Sequence, residues 1–184
     1  MEATFNEKFA KQIVSESMRI SNGESVYIWT AREALDLAEA IAPECDIVGA
    51  KPLIHAYSDD YMKKSLTKTQ EKYVEAVPKH MLSAFQSTDV YIGLGKPALV
   101  EVPVSKIGAW RRSRKPINDT IDTKKIRWLG VTYPTSGRAK ESGMPLKKFR
   151  DIVFSSLDID YKKLVEKGQN IVEKVSHSER VKVT

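Results

Sequence analysis

The sequence predicts an α/β domain of three layers, a small and mainly parallel sheet flanked by helices. Two observations carry this. Four short runs rich in β-branched and aromatic residues recur at 25–30, 52–58, 89–94 and 125–132, and stretches of helical apolar spacing separate them. Strands that alternate with helical crossovers pair in parallel, and such a sheet needs cover on both faces. The 184 residues, 41% hydrophobic and 29% charged, suffice for one substantial core and not comfortably for two.

Each element follows from local pattern. Phe5, Phe9 and Ile13 recur at spacing four with Val14 and Met18 beside them, so a helix should end before Asn22 and Gly23. Residues 25–30 form the first strand. Ala34, Ala38, Ile41 and Cys45 mark a second helix, with an interruption or kink expected at Pro43 and closure at Gly49. After the strand at 52–58, Asp59 and Asp60 are placed to cap a helix beginning near Tyr61. A polar helical region then runs over 65–85, broken at Pro78.

The third strand, 89–94, leads into the least regular part of the chain, 95–123. The fourth strand, 125–132, ends abruptly at Tyr133, Pro134 and Thr135. Thr135 is suited to cap a short helix over 136–142, although the third residue on is Arg138 and not the acid of a full capping box. Pro145 fits the first turn of a helix lined by Leu146, Phe149, Val153 and Leu157. A last helix is lined by Tyr161, Leu164, Gly168, Ile171 and Val175. Residues 180–184 alternate polar and apolar like a strand with no following partner. That ending predicts an N-terminal part of a longer protein, with 1–178 the α/β domain and 179–184 the first strand of a truncated one.

Several chemistries find little footing. Gly93, Gly95 and Ala98 satisfy G-x-G-x-x-A after a strand, but that strand is the third and the next ends without an acidic residue, so a tight turn is the better reading. His55, His80 and His177 are isolated, and His55 alternates with apolar residues as a core histidine would. Asp59 and Asp60 lack convergent partners for a cation. Ser113, Thr135 and Ser136 have neither a nucleophile elbow nor a base placed by sequence. The single cysteine, Cys45, excludes an internal disulfide and suits a reducing compartment. No apolar run approaches a membrane span, so a soluble, cytoplasmic protein is expected.

The formal charge of +6 is spread over most of the chain, which disfavours nucleic acid. One segment departs from that. From 106 to 127 stand Lys106, Arg111, Arg112, Arg114, Lys115, Lys124, Lys125 and Arg127 against Asp119 and Asp122, with Trp110 among them. Arginines beside an exposed indole can hold carboxylates or phosphates; a solvated loop around a buried tryptophan is the plain alternative.

In order along the chain, these cues resemble one family. They are the opening helix around Phe9 to Met18 with Asn22 and Gly23, the element Gly49, Ala50, Lys51 and Pro52, and the segment 128–149 with Tyr133, Pro134, Thr135, Ala139, Gly143, Met144 and Phe149. The chain resembles the N-terminal half of the metalloaminopeptidases typified by aminopeptidases T and S. The resemblance implies an α/β domain joined to a C-terminal domain with two divalent metal ions, whether zinc, cobalt or magnesium, that activate water against a peptide carbonyl. It implies peptide substrates and a homodimer, and carries no metal or catalytic role onto any residue here. Trp110, Arg111, Arg114, Arg127 and Thr135 are then candidates for the substrate cleft or interface. Two rival readings stay open: a Rossmann-like nucleotide domain using Gly93, Gly95 and Ala98, and an interaction or nucleic-acid module using the basic segment.

Overall fold

The structure, a computed structural model, describes residues 2–97, 99, 101–157, 160–180 and 182. Strands β1 (Ser25–Ala31), β2 (Lys51–Tyr57), β3 (Val90–Leu94) and β4 (Arg127–Val131) pair in parallel in the order β2-β1-β3-β4. The four predicted runs coincide with them apart from small shifts at the ends. Strand order reverses beside β1, because the chain crosses to β2 on one side and then to β3 on the other. The carboxyl ends of β1 and β3 therefore flank the place where open α/β sheets usually hold ligands.

The two sheet faces differ in chemistry. Alternation puts Val26, Ile28 and Thr30 of β1, with Val90, Ile92 and Leu94 of β3, on one face, all buried. Helices α1 (Glu2–Gln12), α2 (Leu35–Ile47) and α8 (Leu146–Leu157) cover it, through Phe9, Leu37, Ala38, Ile41 and Phe154 among others. Ile28, Leu37 and Ile41 are wholly buried, and each such side chain contributes about 1.5–3 kcal/mol relative to exposure. Helix α2 runs through Pro43, which is exposed, so the missing N–H removes one helical bond and no packing. Helix α1 passes into a wider turn at Ile13–Ser17, and Ile13 and Val14 stay in the core across that change.

Tyr27 and Trp29 of β1, Tyr91 of β3 and His55 and Tyr57 of β2 alternate onto the other face. Its cover comes from α3 (Asp59–Lys68), the single turn α4 (Glu71–Val74), α5 (Lys79–Gln86) and α6 (Val104–Lys124). Met81, Phe85, Ile117 and Ile126 pack there with Tyr27. Two expectations change. Ser58, not Asp59 or Asp60, caps α3: its hydroxyl accepts from Tyr61 N–H at 3.2 Å, and both acids lie in the first turn, where they favour the helix dipole. The larger change is α6, 21 residues of helix where irregular chain was expected. Its interior Pro116 and dense charge hide the pattern, but Ala109, Ser113 and Ile117 recur at spacing four and are buried against the sheet.

Beyond β4, α7 (Ser136–Glu141) and α8 return the chain to the first layer, and α9 (Tyr161–Ser176) runs on the outside with Leu164, Ile171 and Val172 exposed. The strand expected at 180–184 rests on Val181, Val183 and Thr184, which lie outside the described residues. No helix among the described residues is long and apolar enough to cross a membrane.

Candidate functional site

At the carboxyl edge of β1 and β3 the chain closes on itself. Gly95, at φ +80°, donates its N–H to Val131 O at 2.9 Å, and a Cβ on it would stand 3.3 Å from Ala31 Cβ and 3.9 Å from Thr135 Cγ2. Thr135 is buried and caps α7, its Oγ1 accepting from Arg138 N–H at 3.3 Å. The Glu33 carboxylate accepts from both the N–H and the hydroxyl of Ser136. A phosphate loop needs free N–H groups at a helix start. Here the Gly95 N–H is used within the sheet, and the next helix begins only at Val104. Gly93 lies within β3, and Gly95 makes the bend that follows it; Ala98, the last position of that motif, lies outside the described residues.

Two openings remain on the aromatic face, and Trp29 borders both. The first, about 340 Å³, lies over β3 and β4, floored by Gly93 and Gly130 and walled by Tyr91 and Trp128, with Lys96 and Arg138 at its rim. Trp128 is 64% exposed, so helical cover stops short of β4. Arg138 is tied to Glu141 at 2.6 Å.

The second, about 320 Å³, lies between the sheet and α3 to α6. Arg114 stands at its base. Its guanidinium carbon is 4.8 Å from the Trp29 ring centre and 5.9 Å from that of Trp110, and Nη1 donates to Met81 Sδ. Among the described residues no carboxylate pairs with it. Burial lowers its pKa, yet an arginine stays charged at neutral pH. Tyr27 Oη lies 2.5 Å from His55 Nδ1, and burial, then Arg114 and His80, push the His55 pKa down, so the ring is neutral near pH 7. The direction of that hydrogen bond sets which ring nitrogen carries the proton. Burial also pushes the Tyr91 hydroxyl up to about 12 and the Tyr57 hydroxyl upward, keeping both as neutral phenols. The Tyr57 hydroxyl is buried without a hydrogen-bond partner.

The sequence candidates therefore divide. Trp110 and Arg114, one turn apart on α6, meet in this second pocket. Arg111, beside them in sequence, is exposed. Arg127 lies at the opposite end of the sheet, donating to Met18 O at 2.6 Å and Arg19 O at 3.2 Å and pairing with Glu24. Thr135 sits in the closed carboxyl edge. Trp29 and Tyr57, which belong to no motif, join Trp110 and Arg114, and His55, expected in the core, borders the pocket; the signal in the sequence is that β1 alternates aromatic Tyr27 and Trp29 against aliphatic Val26 and Ile28. Most basic side chains of the segment are engaged by groups of the same chain, several of them at the surface. Lys106 binds Thr69 O, Arg112 pairs with Glu71 and Glu75, Lys115 with Asp119, and Lys124 binds Gln86 O and Thr88 O.

No group of three or more His, Cys, Asp or Glu side chains that could hold a metal ion occurs among the described residues. The second pocket offers imidazoles and a cation without a carboxylate, a donor set that does not fit a divalent metal pair. Comparison with known proteins gives the chain its relatives. No curated protein sequence matches it. Among solved structures it is similar in fold to wild-type AmpT from Thermus thermophilus, with a TM-score of 0.68 and 20% sequence identity over 84% of this chain and 42% of that one. The chain thus spans less than half the length of that protein. The model of the thermophilic metalloproteases (M29) matches residues 4–181, and with nearly the whole chain inside that match, the protein belongs to the M29 family, the metallopeptidases of the aminopeptidase T type.

Proposed function

We propose that this chain is the N-terminal α/β domain of a metal-dependent aminopeptidase that removes single residues from the amino ends of peptides. The observation that carries the reading is the family match over residues 4–181. The fold likeness to 42% of AmpT supports a division of labour in which the hydrolytic metal centre belongs to a further domain. Bound metals would supply a polarised carbonyl and a hydroxide nucleophile. In this reading the metal ligands belong to the further domain, and this chain alone is inert toward peptides. Its own contribution is to wall the substrate cleft or to form part of a homodimer in the cytoplasm. Domain interfaces commonly make ligand sites, and the openings bordered by Trp29 and Trp128 provide such a surface. The engagement of most basic residues within the fold argues against a nucleic-acid module.

The test is hydrolysis of leucine p-nitroanilide by the 184-residue chain with zinc, cobalt or magnesium. We expect no turnover, and a reading frame that continues past Thr184 into paired glutamates and later histidines. Metal-dependent turnover by the chain itself would overturn the division of labour.

A further inference from the structure

We infer that the Arg114 pocket is a binding site for a small aromatic monocarboxylate, independent of the peptidase reading. Arg114 is only partly exposed and has no acid beside it among the described residues. An arginine so placed ordinarily pairs with an acid, because it gives up part of its hydration without Coulombic return. Arg114 stands by Trp29 at 4.8 Å, Trp110 at 5.9 Å and Met81 Sδ, with the neutral phenols of Tyr27 and Tyr91 acting on it from further off. Both indoles flank the guanidinium, and of its donors Nη1 is engaged by a weak acceptor. A planar fork with donors to spare matches a carboxylate.

The surroundings add selectivity. His55, joined to Tyr27 at Nδ1, borders the same cavity as a further polar group. Tyr57, 5% exposed and in ring contact with Trp29 at 4.8 Å, lines the same cavity. An arginine with free donors in a ring-lined cavity points to an anionic ligand that meets it. No Asp or Glu lines the pocket, so an ammonium finds no partner and a zwitterionic amino acid is disfavoured. Tyr61 and Tyr73, both 62% exposed, stand on the helices bordering the pocket and supply stacking faces. About 320 Å³ lies at the small end of ligand cavities and suits an acid built on one ring.

The experiment titrates the intact chain with phenylacetate while following the three indole N–H signals by NMR. Trp29 and Trp110 should shift saturably with a Kd of about 1 mM or tighter, the range expected for so small a ligand, and Trp128, outside this pocket, should not. Benzyl alcohol, a neutral aromatic alcohol one carbon shorter, and phenylalanine should each bind at least about tenfold more weakly, as loss of a charged hydrogen bond requires. Arg114→Met should abolish binding, and Arg114→Lys, which keeps the charge on a slimmer stem, should retain part of it; the wild-type measurement stands even if neither variant folds. Absence of saturable shifts, equal binding of benzyl alcohol, or movement of Trp128 in place of Trp110 would overturn the site. Inorganic phosphate that shifts the same two indoles as readily as phenylacetate would overturn the carboxylate assignment.

Discussion

Ser136 gives both its backbone N–H and its hydroxyl to the Glu33 carboxylate, at 2.7 and 2.8 Å. The turn that follows β1 therefore caps the helix that follows β4, across the edge where the strand order reverses. Thr135 alone satisfies only the Arg138 N–H. Glu33 supplies the second cap that the local sequence lacks, and it arrives from about a hundred residues away.

Replacing Glu33 by alanine leaves a helix-start N–H and a hydroxyl without their acceptor. Both groups stand near solvent, so water recovers part of the loss, and we expect a cost of about 1 kcal/mol. Urea unfolding should show a lower midpoint at unchanged slope. Glu33→Asp, one methylene shorter, should fall between the two. A midpoint equal to that of the parent would mean that the contact contributes nothing.

Arg127 tests the reading of the basic segment. Its guanidinium binds the carbonyls of Met18 and Arg19 and the carboxylate of Glu24, clamping the start of β4 to the end of the first helical layer. Arg127→Ala should lower stability by about 1–2 kcal/mol, the lower part of that range reflecting solvent screening of a half-exposed pair. Phenylacetate binding should be unchanged, because Arg127 lies outside the Arg114 pocket. Equal loss of binding in Arg127→Ala and Arg114→Met would place both residues in one site and contradict this geometry.

These two arginines also mark what the sequence can carry. The strands were legible because β-branched and aromatic runs are local, and parallel pairing followed from the helical crossovers between them. Helix α6 was not, since Pro116 and the charge density of its exposed face mask the buried spacing of Ala109, Ser113 and Ile117. Trp110 and Arg114 were legible as neighbours only after the helix was known, at spacing four. Their meeting with Trp29 and Tyr57 depends on the β1 and β2 register. Charge clustering grouped Arg111, Arg114 and Arg127 by proximity in sequence, and the fold sends one to solvent, one into a pocket and one to the far end of the sheet.

The turn after β3 separates two glycines that the motif treats alike. Gly95 holds φ +80°, and its Cβ would approach the methyl of Ala31, which is buried and cannot swing aside. Gly95→Ala should cost about 1–3 kcal/mol. At Gly93 the nearest obstacle is the tip of the Tyr91 ring at 3.2 Å, which can give way, so Gly93→Ala should cost less than about 1 kcal/mol. Thermal unfolding of the two variants checks the order. A reversed order would show that the Tyr91 ring is the more rigid obstacle.

Cys45 gives the chain an alkaline limit. Its thiol is fully buried, and burial, reinforced by Asp46 and Glu44, pushes its pKa up to about 11 from an ordinary value of 9.0. The folded state therefore favours the neutral thiol. Its contribution is complete below pH 9.0 and is lost as pH rises toward and past 11, because the unfolded chain ionises first. Over that window the loss amounts to a few kcal/mol, at most about 1.4 kcal/mol for each pH unit. Tyrosines buried in the same fold also titrate at high pH, so the informative quantity is a difference. Cys45→Ala should be less stable than the parent at pH 7.5 by about 1 kcal/mol, the cost of a small cavity. It should overtake the parent between pH 9 and 11 in urea unfolding. A stability gap that stays constant from pH 7.5 to 10.5 would refute the assignment, as would alkylation of the native thiol by iodoacetamide at pH 8 at the rate seen in urea.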